Sequence, residues 1–470
     1  MNPESIERDW LLLAVACAVG LLAWWVFVVV RYLRADTSTR ASIRQAHRIR
    51  RRWRRLAPMA GLSVTDKTPT FLASLQTKEG QTPKPRVLTP KLTTKPDQFG
   101  VIVDATCLPQ VGLAEYTKAA PYLADAWGAV RISVLPNGPG KVRMRAVRTD
   151  PITVPTTFRP DGKQPPDVSV WDLGVDEYAE PVALRMSNIP GMTVAGLPGY
   201  GKTSLVARLF CALAPSGAVQ FAVADGKVTS ADEGDYADIV QRCFAFVGDD
   251  LEEANALFKR LVDLRRRRST SIRRLLGRPN MWHGGPTTAW PLVVLVIDEA
   301  HTYFRDYKGT DPKTKKLAAL AAENARLVED LVKKGRSVGV VVILATQKAT
   351  GDAIPTFIRD VCPVGMSFAQ KTADAAVAAL GEDIRNWPDA DPVALQDPLY
   401  VGVASMSVAG RPGFTRVRTP LVHPDHVAHI AETTAHLTAD PAQLLDHHPI
   451  PSPRLTKRPG GPTRPRNRAR

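Results

Sequence analysis

Short apolar runs alternate along residues 191–420 with stretches in which apolar side chains recur at helical spacing. Such runs are typical of strands buried on both faces of a parallel sheet. The predicted strands are Met192–Ala195, Val219–Ala224, Leu292–Ile297, Val338–Ala345 and Val364–Phe368, with Leu399–Val403 and Gly413–Arg418 closing the sheet. The predicted helices are Lys202–Ala214, Leu251–Leu264, Lys316–Lys334, Ala353–Arg359 and Thr372–Leu380. The alternation predicts an α/β domain with a mostly parallel sheet.

The segments outside 191–420 have weaker patterns. Residues 57–98 are rich in Thr, Lys and Pro and predict a linker. Residues 99–150 predict a small α+β domain in the order strand, helix, strand, strand, with the helix over Leu113–Trp127. A proline-bearing connection follows over 151–190, and a short C-terminal segment covers 421–448. The Pro-, Gly- and Arg-rich tail 449–470 cannot bury a core and predicts disorder, with nucleic acid or lipid as an electrostatic partner.

An uncharged apolar run, Leu11–Val30, is long enough to cross a bilayer as a helix. Acidic residues precede it and no small-residue cleavage site follows, which favours a retained anchor over a cleaved signal peptide. The arginine block that starts at Arg31 predicts a single-pass protein of the cell membrane with residues 1–10 outside and all later domains cytoplasmic. Within 31–56, apolar residues at helical spacing predict a basic juxtamembrane helix, on anionic lipid rather than on DNA: Ile43, Ala46, Ile49, Trp53 and Leu56.

The basic charge is confined to two segments. Residues 31–55 hold ten arginines and one acid, and 453–470 hold seven basic residues and no acid, which accounts for the whole formal charge of +16. The remainder of the chain is formally neutral, so its charge gives no nucleic-acid signal. The five cysteines are odd in number and scattered without metal-ligand spacing, so they indicate neither a disulfide framework nor a zinc site and favour a reducing compartment.

Gly196–Thr203, with the sequence GLPGYGKT, matches the phosphate-binding P-loop and lies between a predicted strand and a predicted helix. Glycines allow backbone N–H groups to surround phosphate oxygens, and the helix N-terminus adds its positive end. We expect Lys202 to reach the β- and γ-phosphates of ATP and Thr203 to ligate Mg²⁺. The expected nucleotide-binding residues are Gly196, Leu197, Pro198, Gly199, Tyr200, Gly201, Lys202, Thr203 and Ser204.

Three further polar clusters follow predicted strands. Asp298 and Glu299 end the strongest strand, where Asp298 is expected to bind Mg²⁺ and Glu299 to polarise the attacking water. Gln347 follows another strand, where it could sense the γ-phosphate or orient water. Asp225-Gly226-Lys227 stands at a third strand end, as a ligand site or a turn. The arginines Arg265–Arg268 favour a solvated helix end over a DNA or subunit contact.

Taken together, these motifs resemble the FtsK/SpoIIIE family of membrane-anchored DNA translocases, and most of all its short actinobacterial conjugative-transfer members. The resemblance covers about residues 100–420 and is carried by the P-loop, Asp225-Gly226-Lys227, Val296–Glu299, Gly335–Gly339 and Leu344–Gln347. It implies a RecA-like motor that acts as a hexameric ring on double-stranded DNA, with other transfer proteins as further candidate partners. It also implies an arginine acting across subunits, for which Arg359 is the first candidate and Arg336 the second.

Two other functions stay open. A type VII protein-secretion ATPase resembles the same family but usually carries several ATPase modules, and one P-loop is visible in this sequence. A coupling adaptor would bind nucleotide and dock other proteins without moving DNA. The presence of Lys202, Asp298 and Glu299 argues against such an inactive site. The sequence therefore favours a membrane-anchored, ATP-driven DNA translocase in conjugative transfer or chromosome segregation.

Overall fold

The computed structural model describes residues 32–66, 86–347, 351, 353–411 and 413–447, with scattered positions between 15 and 30. The chain divides into two units, of which the first takes in residues 1–155, 174–182 and 416–418 and the second the remainder. The predicted N-terminus 1–10, most of the predicted membrane segment 11–30, residues 67–85 of the predicted linker and the tail 449–470 lie outside the described residues. Among the helices that are described, none combines the length and the apolar character needed to cross a membrane.

The first unit contains a four-stranded antiparallel sheet with two helices. Its elements are α1 (Thr37–Met59), β1 (Val64–Asp66), β2 (Arg86–Leu88), β3 (Leu92–Pro96), β4 (Gly100–Thr106), α2 (Leu113–Trp127), β5 (Arg131–Pro136) and β6 (Lys141–Val147). The sheet has the order β3-β4-β6-β5, and β1 pairs with β2 separately. The sheet thus includes β3, which falls in the segment that the sequence predicts as a linker.

Helix α1 is part of the core of this unit. Ala46, Ile49 and Trp53 are buried together with residues of β4 and α2. The indole N–H of Trp53 donates to the carbonyl of Pro90 at 2.8 Å, and the Gln45 amide donates to the carbonyl of Trp127 at 3.1 Å. The prediction that this apolar face lies on lipid is therefore wrong, because the small domain covers it. The periodicity of α1 was a correct sign of an amphipathic helix but did not say what it packs against.

The second unit is built on a larger sheet. Its elements, some of which share residues with the first unit, are β7 (Thr157–Phe158), β8 (Val170–Asp176), β9 (Pro181–Arg185), β10 (Gly191–Ala195), α3 (Lys202–Leu213), β11 (Val219–Asp225), β12 (Cys243–Val247), α4 (Leu251–Leu276), β13 (Leu292–Asp298), α5 (His301–Phe304), α6 (Pro312–Gly335), β14 (Val340–Thr346), α7 (Thr356–Arg359), β15 (Val364–Ser367), α8 (Ala373–Leu380), β16 (Val403–Ser407), β17 (Phe414–Arg418), β18 (Leu421–Val422), α9 (Pro424–Thr434) and α10 (Pro441–Asp446).

Six of these strands form a parallel array in the order β12-β11-β13-β14-β10-β15, and β16 joins β15 in the antiparallel direction. β14 lies between the strand that precedes the P-loop and the strand that ends in Asp298. Asp225 is paired in register with Asp298, and Ala195 with Thr346. The carboxyl ends of these strands therefore meet at one edge. The predicted α/β fold around a P-loop is confirmed, but the sheet is mixed, because the six parallel strands belong to a ten-stranded sheet that continues in the antiparallel direction from β15 to β16.

Two predicted elements differ from the structure. Helix α4 continues through the arginine run to Leu276, so that Arg265 and Arg268 are buried instead of forming a solvated end. Arg265 pairs with Asp330, and Arg268 donates to the Val338 carbonyl at 3.0 Å. The predicted strand Leu399–Val403 is instead a short 3₁₀ turn over Pro398–Tyr400, followed by β16. The Asp397 carboxylate accepts the Leu399 amide at 2.9 Å, which holds the start of the predicted strand in this turn.

Candidate nucleotide-binding site

The P-loop joins β10 to α3 and has the open backbone that phosphate binding requires. Gly199 has φ of 80° and Gly201 has φ of 112°, conformations that favour glycine. The first amides of α3, on Lys202 and Thr203, donate to no acceptor among the described residues. These amides and the positive end of the helix form an anion-binding concavity.

Lys202 lies inside this loop. Its ammonium donates to the carbonyls of Gly196 at 2.5 Å and Leu197 at 3.1 Å, and only 7% of the residue is exposed. Burial lowers the pKa of Lys202, while the charge of Asp298 acts in the opposite direction. The lysine thus bonds to its own loop, where phosphate oxygens could replace these carbonyls as acceptors.

The end of β13 presents two acids in different environments. Asp298 is 1% exposed, and one of its carboxylate oxygens accepts the Glu299 amide at 2.9 Å. Glu299 has φ of 47°, which is strained for a residue with a side chain. Its Oε2 atom is buried and has no hydrogen-bond partner among the described residues. A strained backbone and an unpartnered carboxylate oxygen are properties of a group that is positioned for a ligand.

The Asp225-Gly226-Lys227 turn is fastened to the end of β13. The Gly226 amide donates to the Asp298 carbonyl at 3.0 Å, and the Thr302 hydroxyl donates to the Gly226 carbonyl at 2.9 Å. A Cβ atom at Gly226 would lie 2.7 Å from Thr302, so the close approach requires glycine. The Lys227 ammonium lies 2.9 Å from Asp298 Oδ2. The sequence left open whether Asp225-Gly226-Lys227 is a ligand site or a turn. In the structure these residues form a turn, and the turn also places the Lys227 side chain beside Asp298.

Two residues near Thr203 and Asp298, Asp235 and Tyr236, were not predicted from the sequence. The Thr203 hydroxyl donates to Asp235 Oδ2 at 3.1 Å. Tyr236 is buried, and burial together with the charges of Asp298 and Asp225 raises the pKa of its hydroxyl. Both lie in the loop between β11 and β12, which has no motif in the sequence. An aromatic residue beside an acid in a polar loop is the one signal that could have drawn attention to them.

The structure separates the remaining candidates. Gln347 follows β14 and is exposed at the edge where the P-loop begins, between β10 and β13. Arg359 precedes β15, and so lies on the opposite, amino side of the sheet. Its guanidinium donates to the Ala378 carbonyl at 2.6 Å beside a cavity of about 620 Å³. Arg336 is exposed ahead of β14 on the same side. Neither arginine is brought to the P-loop of its own chain.

Candidate magnesium ligands are present, but no cluster of three His, Cys, Asp or Glu side chains suited to a metal occurs in the described part of the chain. Mg²⁺ in nucleotide sites uses one or two protein oxygens together with phosphates and water. Thr203 and Asp298 are oxygen donors at the same edge of the sheet, which fits this arrangement.

No family model matches the chain. In sequence it is 27% identical over 225 residues to the DNA translocase FtsK of two strains of Leptospira interrogans, which covers 44% of this chain and 21% of that protein. The chain therefore spans about a fifth of the length of the curated relatives that it matches.

Two solved structures can be set beside the model. The pCW3 conjugation coupling protein TcpA, in its monomer form with ATPγS, is 17% identical with a TM-score of 0.49, covering 74% of this chain and 94% of that one. The type VII secretion ATPase EccC of Thermomonospora curvata is 20% identical with a TM-score of 0.44, covering 63% and 34%. At these scores the fold assignment rests on the strand order and the P-loop of the chain itself. The motifs and the sequence match together show that this chain resembles the FtsK/SpoIIIE family.

Proposed function

We propose that this chain is an ATPase that moves double-stranded DNA at the cell membrane, in conjugative transfer or chromosome segregation. The observation that carries the proposal is that the P-loop, Asp298 and Glu299 meet at one edge of the sheet, in a chain that matches DNA translocase FtsK in sequence. The presence of these side chains favours hydrolysis over an inactive adaptor.

Each side chain has a distinct part in the proposed reaction. Lys202 exchanges its loop carbonyls for the β- and γ-phosphates of ATP. Thr203 and Asp298 would hold Mg²⁺, which would neutralise charge on the phosphates. Glu299 accepts the proton of the attacking water, because its Oε2 atom is the carboxylate oxygen without a partner. Gln347 orients that water or senses the γ-phosphate.

The membrane anchor is part of the same proposal. Val15, Val19, Leu22 and Val26 recur at helical spacing, and each is exposed. An exposed apolar face is unfavourable in water and needs an apolar environment. A bilayer would provide one, and the uncharged run Leu11–Val30 is long enough to cross it. The domains that follow are then cytoplasmic, and self-association into a hexameric ring would place DNA against several copies of the motor.

The test is the ATPase rate of residues 35–470 without DNA, with single-stranded DNA and with plasmid. The fragment keeps α1, which the core of the first unit requires. We expect plasmid to stimulate hydrolysis most strongly. Hydrolysis that ignores DNA but responds to a secreted protein would favour the secretion ATPase, and nucleotide binding without hydrolysis would favour the adaptor.

A further inference from the structure

Lys227 is a cation of the site to which the P-loop motif assigns no part. Its ammonium lies 2.9 Å from Asp298 Oδ2, and the Lys227 side chain is 33% exposed whereas that of Asp298 is 2% exposed. The ion pair therefore closes the solvent side of a buried carboxylate. This carboxylate is the one proposed above to hold Mg²⁺.

The backbone fixes the lysine in this position. Gly226 is bonded to Asp298 through its amide and to Thr302 through its carbonyl, and there is no room for a side chain at residue 226. These bonds anchor the backbone at residue 226, and the side chain of the next residue, Lys227, extends from there to Asp298.

Both oxygens of Asp298 have partners within the chain. One accepts the Glu299 amide at 2.9 Å, and the other faces Lys227. Thr203, the second proposed magnesium ligand, is bonded to Asp235. Mg²⁺ gives up its water reluctantly and needs several oxygen ligands. A Mg²⁺ ion without nucleotide would have to displace Lys227 from Asp298, and it would gain only the Asp298 carboxylate as a ligand.

A nucleotide changes this balance. Its phosphate oxygens would supply further ligands for the metal, and they would also accept hydrogen bonds from the Lys227 ammonium in place of Asp298. We propose that Lys227 is a displaceable counter-ion that holds Asp298 closed to metal until a nucleoside triphosphate arrives. The inference rests on the proposed nucleotide site, and it makes metal binding conditional on nucleotide binding.

The test uses the full chain in detergent with Mn²⁺ as the probe, and measures Mn²⁺ affinity by calorimetry with and without ATPγS. Lys227→Met keeps most of the stem and removes the charge. We expect it to bind Mn²⁺ about tenfold more tightly than the wild type without nucleotide, and to show a correspondingly smaller gain in affinity when ATPγS is added. Asp298→Asn in the same background should abolish the extra affinity.

Three controls separate this effect from damage to the fold. Lys227→Arg keeps the charge and should exclude Mn²⁺ as the wild type does. Lys316→Met removes a lysine from an exposed pair with Glu252, 2.6 Å apart, and should leave Mn²⁺ binding unchanged. The thermal midpoint of each variant reports whether it is folded.

Equal Mn²⁺ affinity of folded Lys227→Met and wild type, with ATPγS still bound by both, would overturn the role of Lys227 and leave the nucleotide site standing. Failure of the wild type to bind ATPγS would instead overturn the proposed function. The two failures are therefore distinguishable.

Discussion

Glu299 and Lys202 act on different steps of the proposed reaction, so their variants should differ. Lys202→Ala removes the cation that faces the transferring phosphate and should abolish turnover. Glu299→Gln keeps the shape of the side chain and should bind ATPγS normally while hydrolysis stops. The measurements are ATPγS affinity and the steady-state hydrolysis rate. Wild-type hydrolysis by Glu299→Gln would show that another group activates the water.

Asp225 should make stability depend on pH. Burial raises the pKa of the Asp225 carboxyl to about 6, and the negative charge of Asp298 contributes to the same shift. An unfolded aspartate titrates near pH ~3.9, so the folded chain binds the extra proton between these values and loses stability as the pH rises through about 6. Asp225→Asn cannot lose a proton and should gain thermal stability relative to the wild type between about pH 4 and about pH 7. If the difference in thermal stability between Asp225→Asn and the wild type does not change with pH over this range, the raised pKa of Asp225 is contradicted.

The contacts of the site show which residue roles a sequence can reveal. Lys202, Thr203 and Asp298 stand in motifs with fixed spacing, and their positions at one strand edge follow from the parallel strands. The ion pair of Lys227 with Asp298 joins residues 71 positions apart, so no local pattern contains it. Asp235 and Tyr236 reach the site through a loop whose path depends on tertiary packing, which spacing does not encode.

At the scale of elements, α1 should be needed to stabilise the first unit. Trp53 is 4% exposed in its core and bonds to Pro90. Trp53→Ala should cost about 3–5 kcal/mol, as large-to-small core changes do. Arg51→Ala, on the exposed side of the same helix, should change stability by less than about 0.5 kcal/mol. The measurement is denaturant unfolding of both variants, and equal stabilities would contradict the packing of α1.

The elements differ in how fully their sequences predict them. β13 and β14 are short apolar runs rich in valine and isoleucine, which is typical of strands buried on both faces, and their predicted bounds lie within two residues of the observed ones. The apolar residues of α1 recur at helical spacing and predict a helix with one apolar face. Either lipid or a neighbouring sheet could cover that face, and the spacing does not distinguish them. Charged residues usually face water, so the sequence predicts solvated arginines on α4. In the structure, Asp330 pairs with Arg265 and the Val338 carbonyl accepts from Arg268, and both partners lie far along the chain.

For the whole molecule, attachment to the membrane should involve two segments. Deleting residues 1–34 removes the apolar run but leaves exposed arginines on α1, among them Arg44, Arg48, Arg51 and Arg55. Each attracts anionic lipid by about 1 kcal/mol near the surface, so release into the soluble fraction should be partial at low salt and complete at high salt. Sedimentation with vesicles measures this. Complete solubility at low salt would show that α1 does not bind lipid.

Assembly into a ring should let Arg359 act on the nucleotide of a neighbouring subunit. Arg359→Ala should bind ATP but hydrolyse it poorly, since such arginines contribute about a thousandfold or more to the rate. Mixed with the inactive Lys202→Ala protein, it should regain partial activity, because some interfaces would combine an intact P-loop with an intact arginine. DNA should increase this rescue if it promotes assembly.

The outcome of the mixing experiment also bears on the position of Arg359, whose guanidinium bonds to Ala378 in its own chain. No recovery in mixtures with confirmed subunit exchange, or full activity of Arg359→Ala alone, would remove it from the reaction. Arg336 would then be the next residue to test by the same mixing.

Movement along DNA is measured most directly by displacement of a third strand from a linear duplex. The full chain in detergent should strip a triplex-forming oligonucleotide from the duplex when ATP and Mg²⁺ are supplied, and ATPγS should not replace ATP. Lys202→Ala and Glu299→Gln should leave the triplex intact, since neither can complete hydrolysis. A wild-type protein that binds the duplex and hydrolyses ATP but never displaces the third strand would contradict the proposal that this chain is a DNA translocase.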